Sequence, residues 1–96
     1  MAEITFHPDT AHEIKSSYEW YQNQAEGLGE DFIEELESAY EAIAELPRTW
    51  PKFTKNCRRF LLRKFPFSVI YQVNSSILVL AIMHNSRKPG YWEGRT

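Results

Sequence analysis

The stretch that decides the fold is FSVIYQVNSSILVLAIM, residues 67–83. Its first seven residues are rich in aromatic and β-branched side chains, and residues 77–83 are continuously apolar. Both compositions favour β-strands. The segment Asn74-Ser75-Ser76 between them has the small polar side chains that are typical of a tight turn. Residues 67–83 therefore predict two antiparallel strands joined by a short turn.

Further strand signals lie on both sides of this hairpin. Residues 57–63 would place Arg59, Leu61 and Arg63 on one side of a strand and Arg58, Phe60 and Leu62 on the other, and they predict a third strand of the same meander. Residues 3–6 alternate polar and apolar side chains and predict a short first strand. Residues 48–56 have no clear period and are expected to form a loop.

Two amphipathic helices are predicted between the first strand and the meander. Pro8 and Asp9 mark the start of the first helix, with the Asp9 carboxylate expected to accept amide hydrogens of the first turn. The residues Gly27-Leu28-Gly29 separate it from the second helix, which Pro47 follows. The order β-α-α-β-β-β predicts a single α+β domain over residues 1–96, with a helical hairpin packed on the sheet.

Charge is sorted along the chain. Residues 1–47 hold twelve Asp and Glu against one Lys, and residues 48–96 hold ten Lys and Arg against one Glu. The formal net charge of −2 thus conceals an acidic half and a basic half. The acidic residues of the second helix are expected to form its solvated face. A surface of this charge is repelled by phosphate, which limits docking on a large RNA assembly.

Composition excludes several classes of protein. The longest apolar run, residues 77–83, is too short to cross a bilayer, and residues 1–4 lack the features of a signal peptide. The one cysteine, Cys57, excludes an internal disulfide and fits a reducing compartment. The three histidines have no metal-ligand spacing. We expect a cytoplasmic protein with no metal, no other cofactor and no membrane contact.

Arginines on the predicted strand 57–63 are the first candidate site. Arg59 and Arg63 would point to the same side of a strand, where guanidinium groups can make bidentate contacts with phosphate or carboxylate. The alternative is that they pair with the acidic helices of the same chain. Exposed ion pairs contribute only about 0–1 kcal/mol, so such arginines could still be recruited by a partner.

The second candidate site follows the last predicted strand. His84, Arg87 and Tyr91 could support RNA cleavage without a metal, with imidazole and phenol moving protons and guanidinium holding the phosphate. A histidine that simply hydrogen-bonds at a strand end is the alternative. Trp92 could stack on a ligand or cover the core. Trp20, Tyr21 and Trp50 are expected to pack in the core and hairpin.

The ordered set of motifs resembles the RelE/ParE toxin superfamily over essentially the whole chain. The motifs that carry the resemblance are residues 6–14 (FHPDTAHEI), Trp20-Tyr21, residues 27–29 (GLG), Phe32, Ile43, Pro47, residues 59–71 (RFLLRKFPFSVIY) and residues 84–92 (HNSRKPGYW). The resemblance implies a helical hairpin on a twisted antiparallel sheet. It also implies the toxin of a bacterial type II toxin–antitoxin module, a class linked to growth inhibition and plasmid stabilisation. The cognate antitoxin would wrap the toxin, and operator DNA would be bound only through the antitoxin.

The superfamily divides by target. RelE-like members cleave mRNA on the ribosome, and the resemblance carries over Arg59 or Arg63, His84, Arg87 and Tyr91 as matching positions. ParE-like members poison DNA gyrase and need no nuclease residues. The acidic helices and the pI of about 5.9 favour the ParE-like alternative.

We therefore expect a ParE-like toxin that binds gyrase, with the contact surface formed by Arg59, Arg63, Arg87 and Trp92. A ribosome-dependent endoribonuclease, with catalytic His84, Arg87 and Tyr91, is the alternative; whether the chain is an enzyme depends on which holds. A third possibility is an inert relative that only binds its antitoxin.

Overall fold

The computed structural model describes residues 2–95 and contains two helices and five strands. The α+β class and the predicted element order are confirmed, with one strand added inside the expected loop. The elements are β1 (Ile4–Phe6), α1 (Asp9–Gln24), α2 (Leu28–Glu45), β2 (Lys52–Thr54), β3 (Cys57–Leu61), β4 (Phe67–Val73) and β5 (Ile77–His84), followed by a 3₁₀ turn (Glu93–Arg95).

The five strands form one mixed sheet in the order β1-β5-β4-β3-β2. Strands β2 to β5 pair with one another in antiparallel fashion, as the meander predicts, whereas β1 pairs with β5 in parallel. The helical hairpin between β1 and the meander returns the chain to the same end of the sheet, which permits the parallel pairing. The added strand β2 is short and forms an edge through its pairing with β3.

A β-bulge in β5 sets which side chains face the helices. Ile70 pairs with Ala81 and the next residue, Tyr71, pairs with Val79, so Leu80 has no partner on β4. The extra residue shifts the alternation of side chains by one position. Leu80 and Ala81 therefore both lie in the cluster on the side of the sheet away from the helices, and Ile82 packs on the helix side.

The main core lies between the helical hairpin and the sheet. The buried side of α2 packs its apolar residues on β4 and β5, in a cluster that includes Phe32, Leu36, Ala39, Ile43, Val69, Tyr71 and Val79. Aromatic rings fill one end of this core, where Phe32 lies 5.1 Å from Phe67 between ring centroids. Full burial of a side chain as large as Phe or Leu stabilises the fold by roughly 1.5–3 kcal/mol, so this layer holds the hairpin in place.

The start of α1 uses a different cap from the one expected. The Asp9 carboxylate does not cap the helix; instead the Asp9 amide donates to Nδ1 of His7 at 3.1 Å. The Thr10 hydroxyl also donates to the His7 carbonyl at 2.7 Å. The acceptors at the start of the helix are therefore the ring nitrogen and the carbonyl of His7, and not the predicted carboxylate of Asp9.

The chain after β5 folds back over the second face of the sheet. Trp92 is fully buried there, in a second apolar cluster with Cys57, Ile70, Leu80 and Met83. The C-terminal segment around Trp92 thus covers part of the sheet face opposite the helices. Part of it remains accessible, since the side chain of Leu61 is 51% exposed.

Candidate functional site

A continuous row of aromatic rings crosses the sheet face opposite the helices and ends in an arginine on each side. Phe53 of β2 stacks on Trp92 with a centroid separation of 5.8 Å, and Trp92 meets Tyr91 edge to face at 5.5 Å. The guanidinium carbon of Arg59 lies 4.3 Å from the Phe53 centroid, and that of Arg87 lies 3.5 Å from the Tyr91 centroid. We refer to these five residues as the arginine–aromatic band.

Strand pairing places Arg59 in the band. Arg59 is directly opposite Ile70, so the two side chains share a sheet face, and Ile70 packs in the same cluster as Trp92. Stacking on a ring orients a guanidinium group without using its hydrogen-bond donors, and such a contact contributes about 0.5–2 kcal/mol. The donors of Arg59 and Arg87 therefore remain available for carboxylate or phosphate groups of a partner.

The sorted charges are not neutralised inside the monomer. Among residues 2–95, Arg95 is the one Lys or Arg whose side chain lies within 4.0 Å of a carboxylate oxygen, through Asp9 at 3.5 Å and Glu13 at 3.1 Å. The alternative in which Arg59 and Arg63 pair with acidic helix side chains is absent from this part of the chain. An open cationic surface thus remains on the sheet.

Glu13 of α1 holds the C-terminal segment against the sheet. One carboxylate oxygen accepts the Ile82 amide at 2.9 Å, and the other accepts the Tyr91 hydroxyl at 3.0 Å and a guanidinium N–H of Arg95 at 3.1 Å. The Glu13 side chain is only 12% exposed. These contacts, which we call the Glu13 junction, fix Tyr91 at one end of the arginine–aromatic band.

Burial and, to a smaller extent, the hydrogen-bonded Glu13 carboxylate together raise the pKa of the Tyr91 phenol to about 12, against the opposing effects of Arg87 and Arg95. The phenol therefore stays protonated at neutral pH and donates its hydrogen to Glu13. A general acid is most effective when its pKa lies near the working pH, so this phenol is poorly matched to proton transfer.

His84 lies at the end of β5, with its ring on the helix side of the sheet. It pairs with Phe67 across β4 and β5, and its ring lies 5.0 Å from the Phe67 ring. Its Nδ1 accepts the Ser86 amide at 3.1 Å and lies 2.7 Å from the Ser86 hydroxyl. With Phe67, Tyr21 and Trp20, His84 lines a groove on the helix side of the sheet. His84 thus makes the strand-end hydrogen bonds of the simpler alternative.

Within residues 2–95, no group of three or more His, Cys, Asp or Glu side chains is arranged to hold a metal ion. In the same part of the chain, no helix combines the length and the hydropathy needed to cross a bilayer.

Comparison with known proteins defines the family. Residues 4–89 match the family described as "ParE toxin of type II toxin-antitoxin system, parDE". The chain belongs to the ParE toxin family. The superfamily resemblance of the sequence motifs is thereby confirmed.

A solved structure supports the ParE fold of the chain. The "Chromosomal ParDE TA system from P. aeruginosa" superposes with a TM-score of 0.74 at 17% sequence identity, covering 88% of this chain and 96% of that chain. At this identity the match concerns the fold alone. A comparison with curated proteins found no match.

The structure of this ParE-family chain separates the predicted contact residues. Arg59, Arg87 and Trp92 come together in the arginine–aromatic band, but Trp92 is 0% exposed and cannot itself touch a partner in this conformation. Its burial follows from the stacking on Phe53 and the packing on Ile70. Trp92 therefore lies buried in the middle of the band, where it packs against Phe53 and Tyr91. The prediction that Trp92 forms part of the contact surface is wrong for this conformation.

Arg63 does not share a surface with Arg59. Strand β3 ends at Leu61, and the chain then bends toward α2, where the amides of Arg63 and Lys64 donate to the Glu35 carboxylate. Arg63 consequently lines a recess with Asp31 and Glu34 on the acidic helix. The expectation that Arg59 and Arg63 act together assumed a strand two residues longer and is wrong.

Three features of the site were not foreseen. Phe53 belongs to the band, but it lies in the segment 48–56 that was expected to be a loop. Glu13 is one of twelve acidic residues between positions 1 and 47, and no local pattern distinguishes it from the others. Trp20, expected in the core, is 59% exposed at the rim of the His84 groove. Its position on the polar side of α1 is the signal that could have indicated this.

Proposed function

We propose that this chain is the toxin of a type II toxin–antitoxin pair and that it inhibits DNA gyrase by binding, without catalysing a reaction. Membership of the ParE family supports the toxin role. The observation that carries the mode of action is the arginine–aromatic band, whose two guanidinium ends have no carboxylate partner among residues 2–95.

The band has the composition of a protein-binding surface. Arginine and aromatic residues dominate the binding energy of protein interfaces, particularly where their orientation is fixed before binding. Arg59 and Arg87 are fixed by ring contacts at 4.3 and 3.5 Å, and exposed Leu61 lies on the same side of β3 as Arg59. A partner with carboxylates flanking an apolar patch would complement this surface.

We also propose that a cognate antitoxin holds the toxin inactive. The solved structural neighbour is a ParDE system, and the two oppositely charged surfaces of this chain offer an extended segment complementary contacts. The acidic side of α2 would receive basic side chains, and the sheet face would receive acidic ones. Operator DNA would then be bound by the antitoxin, since the acidic helices of the toxin repel phosphate.

The nuclease alternative has weaker support from the geometry. The His84 ring faces the groove on the helix side, whereas Arg59 lies on the opposite face of the sheet. The Tyr91 phenol donates to Glu13 and has a pKa raised to about 12. These contacts support binding rather than catalysis as the mode of action.

A gyrase supercoiling assay tests the proposal. The purified chain should inhibit supercoiling, and the Arg59→Gln/Arg87→Gln variant should need a much higher concentration for the same inhibition. Two buried arginine contacts of about 2 kcal/mol each would be lost, and loss of one alone weakens binding about 30-fold. The matched control is Arg63→Gln/Lys64→Gln, which removes the same charge beside α2 and should retain inhibition.

Growth assays separate the remaining alternatives. Expression without antitoxin should arrest growth, and the His84→Ala variant should remain fully toxic. Loss of toxicity in His84→Ala with mRNA cleavage in the parent would overturn the gyrase proposal in favour of the nuclease. Unimpaired growth with the parent chain would identify the inert antitoxin-binding relative instead.

A further inference from the structure

A cationic recess lies where β2, β3 and the end of β4 meet. Its volume is about 260 Å³, and four basic side chains line it: Arg48, Lys52, Lys55 and Arg58. The remaining polar lining consists of three carboxamides, from Asn56, Gln72 and Asn74. No Asp or Glu lines this recess, and neither Arg59 nor Arg87 belongs to it. The recess is thus separate from the arginine–aromatic band.

Strand register explains why these cations converge. Lys52 of β2 pairs directly with Arg58 of β3, so both side chains lie on the same side of the sheet. Lys55 belongs to the turn between the two strands, and Arg48 lies in the segment that leads into β2. Four like charges around one small volume repel one another, and an anion in the recess would relieve that repulsion.

Arg58 is held in position by its own backbone surroundings. One terminal nitrogen of its guanidinium donates to the Trp50 carbonyl at 2.7 Å and to the Arg48 carbonyl at 3.2 Å. These bonds use two of the five N–H donors of the group, and the other three remain for a ligand. Three donors in a planar fork suit bidentate binding of a tetrahedral oxyanion.

We propose that the cationic recess binds a phosphoryl group, carried either by a free nucleotide or polyphosphate or by a nucleic-acid strand. A phosphate or diphosphate brings two or more negative charges and several acceptor oxygens, which match four cations and the N–H donors of three carboxamides. A single carboxylate would leave most of the charge uncompensated. An adjacent recess, which shares Lys55, Asn56, Cys57 and Gln72 with the cationic recess, is lined by one carboxylate, that of Glu93.

Pyrophosphate titration of the ¹⁵N-labelled chain tests the proposal. Wild type should bind saturably with a Kd below about 1 mM, and the carboxamide signals of Asn56, Gln72 and Asn74 should shift. The Lys52→Gln/Lys55→Gln variant changes exposed side chains only and should weaken binding about tenfold or more, because it removes two of the four charges. The Arg63→Gln/Lys64→Gln variant has the same net charge and should bind as the wild type does.

Parallel titrations with ATP and with a short 5′-phosphorylated oligonucleotide identify the source of the phosphoryl group. Tighter binding of ATP assigns a free nucleotide, and tighter binding of the oligonucleotide than of its unphosphorylated form assigns a strand terminus. Absence of saturable binding, equal losses in the two double variants, or shifts confined to other residues would overturn the proposal. So would a triglutamate peptide that binds as tightly as pyrophosphate, since the recess would then prefer carboxylates. None of these readouts involves gyrase, so they do not depend on the proposed function.

Discussion

The Glu13 junction gives a prediction whose size follows from its contacts. Glu13→Ala removes the acceptor of the buried Ile82 amide, of the Tyr91 hydroxyl and of one Arg95 N–H. A buried donor left without an acceptor costs about 1–3 kcal/mol, and a hydroxyl that can reach water costs about 1 kcal/mol. The Arg95 pair adds at most about 1 kcal/mol, because Arg95 keeps the Leu80 carbonyl and Asp9.

The expected loss in free energy of unfolding is therefore about 3 kcal/mol, which corresponds to a fall in Tm of about 12–24 °C for a domain of this size. Glu13→Gln should lose less, about 1–2 kcal/mol, because its carbonyl can still accept the Ile82 amide. Urea unfolding followed by circular dichroism measures both values. Hydrogen exchange should also rise in residues 85–95 of Glu13→Ala before it rises in α2.

The matched control is Glu19→Ala, which makes the same substitution on an exposed position of the same helix. It carries the same small gain in helix propensity and should change stability by less than about 0.5 kcal/mol. If Glu13→Ala falls within about 0.5 kcal/mol of this control, the junction does not hold the C-terminal segment and the reasoning from its hydrogen bonds fails.

Two further predictions concern stability. Gly29→Ala should lower the free energy of unfolding in urea by roughly 1–2 kcal/mol, because an added Cβ would lie 2.8 Å from the Tyr18 ring. The control is Gly94→Ala, since no atom lies within 4 Å of a Cβ added there. Equal stability of the two variants would contradict the predicted clash. The second prediction concerns alkaline pH. Burial is the main cause that raises the pKa of Tyr71 and of Tyr91 to about 12, above the ordinary value of 10. The stability that comes from their neutral forms is therefore fully present below pH 10 and is lost as the pH rises through about 12. Phenolate absorbance and circular dichroism followed together should show this loss, and titration of both phenols near pH 10 in a folded protein would refute it.

The helices and the three long strands could be predicted because their apolar periods are strong and local. Strand β2 could not, since three residues carry no period and Lys52 becomes part of a strand only by pairing with Arg58. The parallel pairing of β1 with β5 is equally invisible locally, because Ile4 and its partner Ile77 are 73 positions apart in the chain. These features are decided by tertiary contacts.

The face on which His84 lies could not be predicted for a different reason. Residues 77–83 are all apolar, so their pattern has no phase from which to assign alternate faces. The bulge at Leu80 then reverses the alternation and turns His84 toward the helix-side groove. The predicted grouping of His84 with Arg87 and Tyr91 relied on closeness in sequence, which does not determine the face of the sheet on which a side chain lies.

The basic side chains of residues 48–96 do not all lie on one surface. Arg58 and Arg59 are neighbours in the chain, yet strand alternation directs Arg58 into the cationic recess and Arg59 into the arginine–aromatic band. Adjacent arginines on a strand cannot serve one flat surface together, so the basic half divides into two smaller sites with different geometry. A substitution at Arg59 should therefore affect binding at the band while leaving phosphate binding intact. The basic half therefore presents two separate sets of oriented donors, one in the arginine–aromatic band and one in the cationic recess.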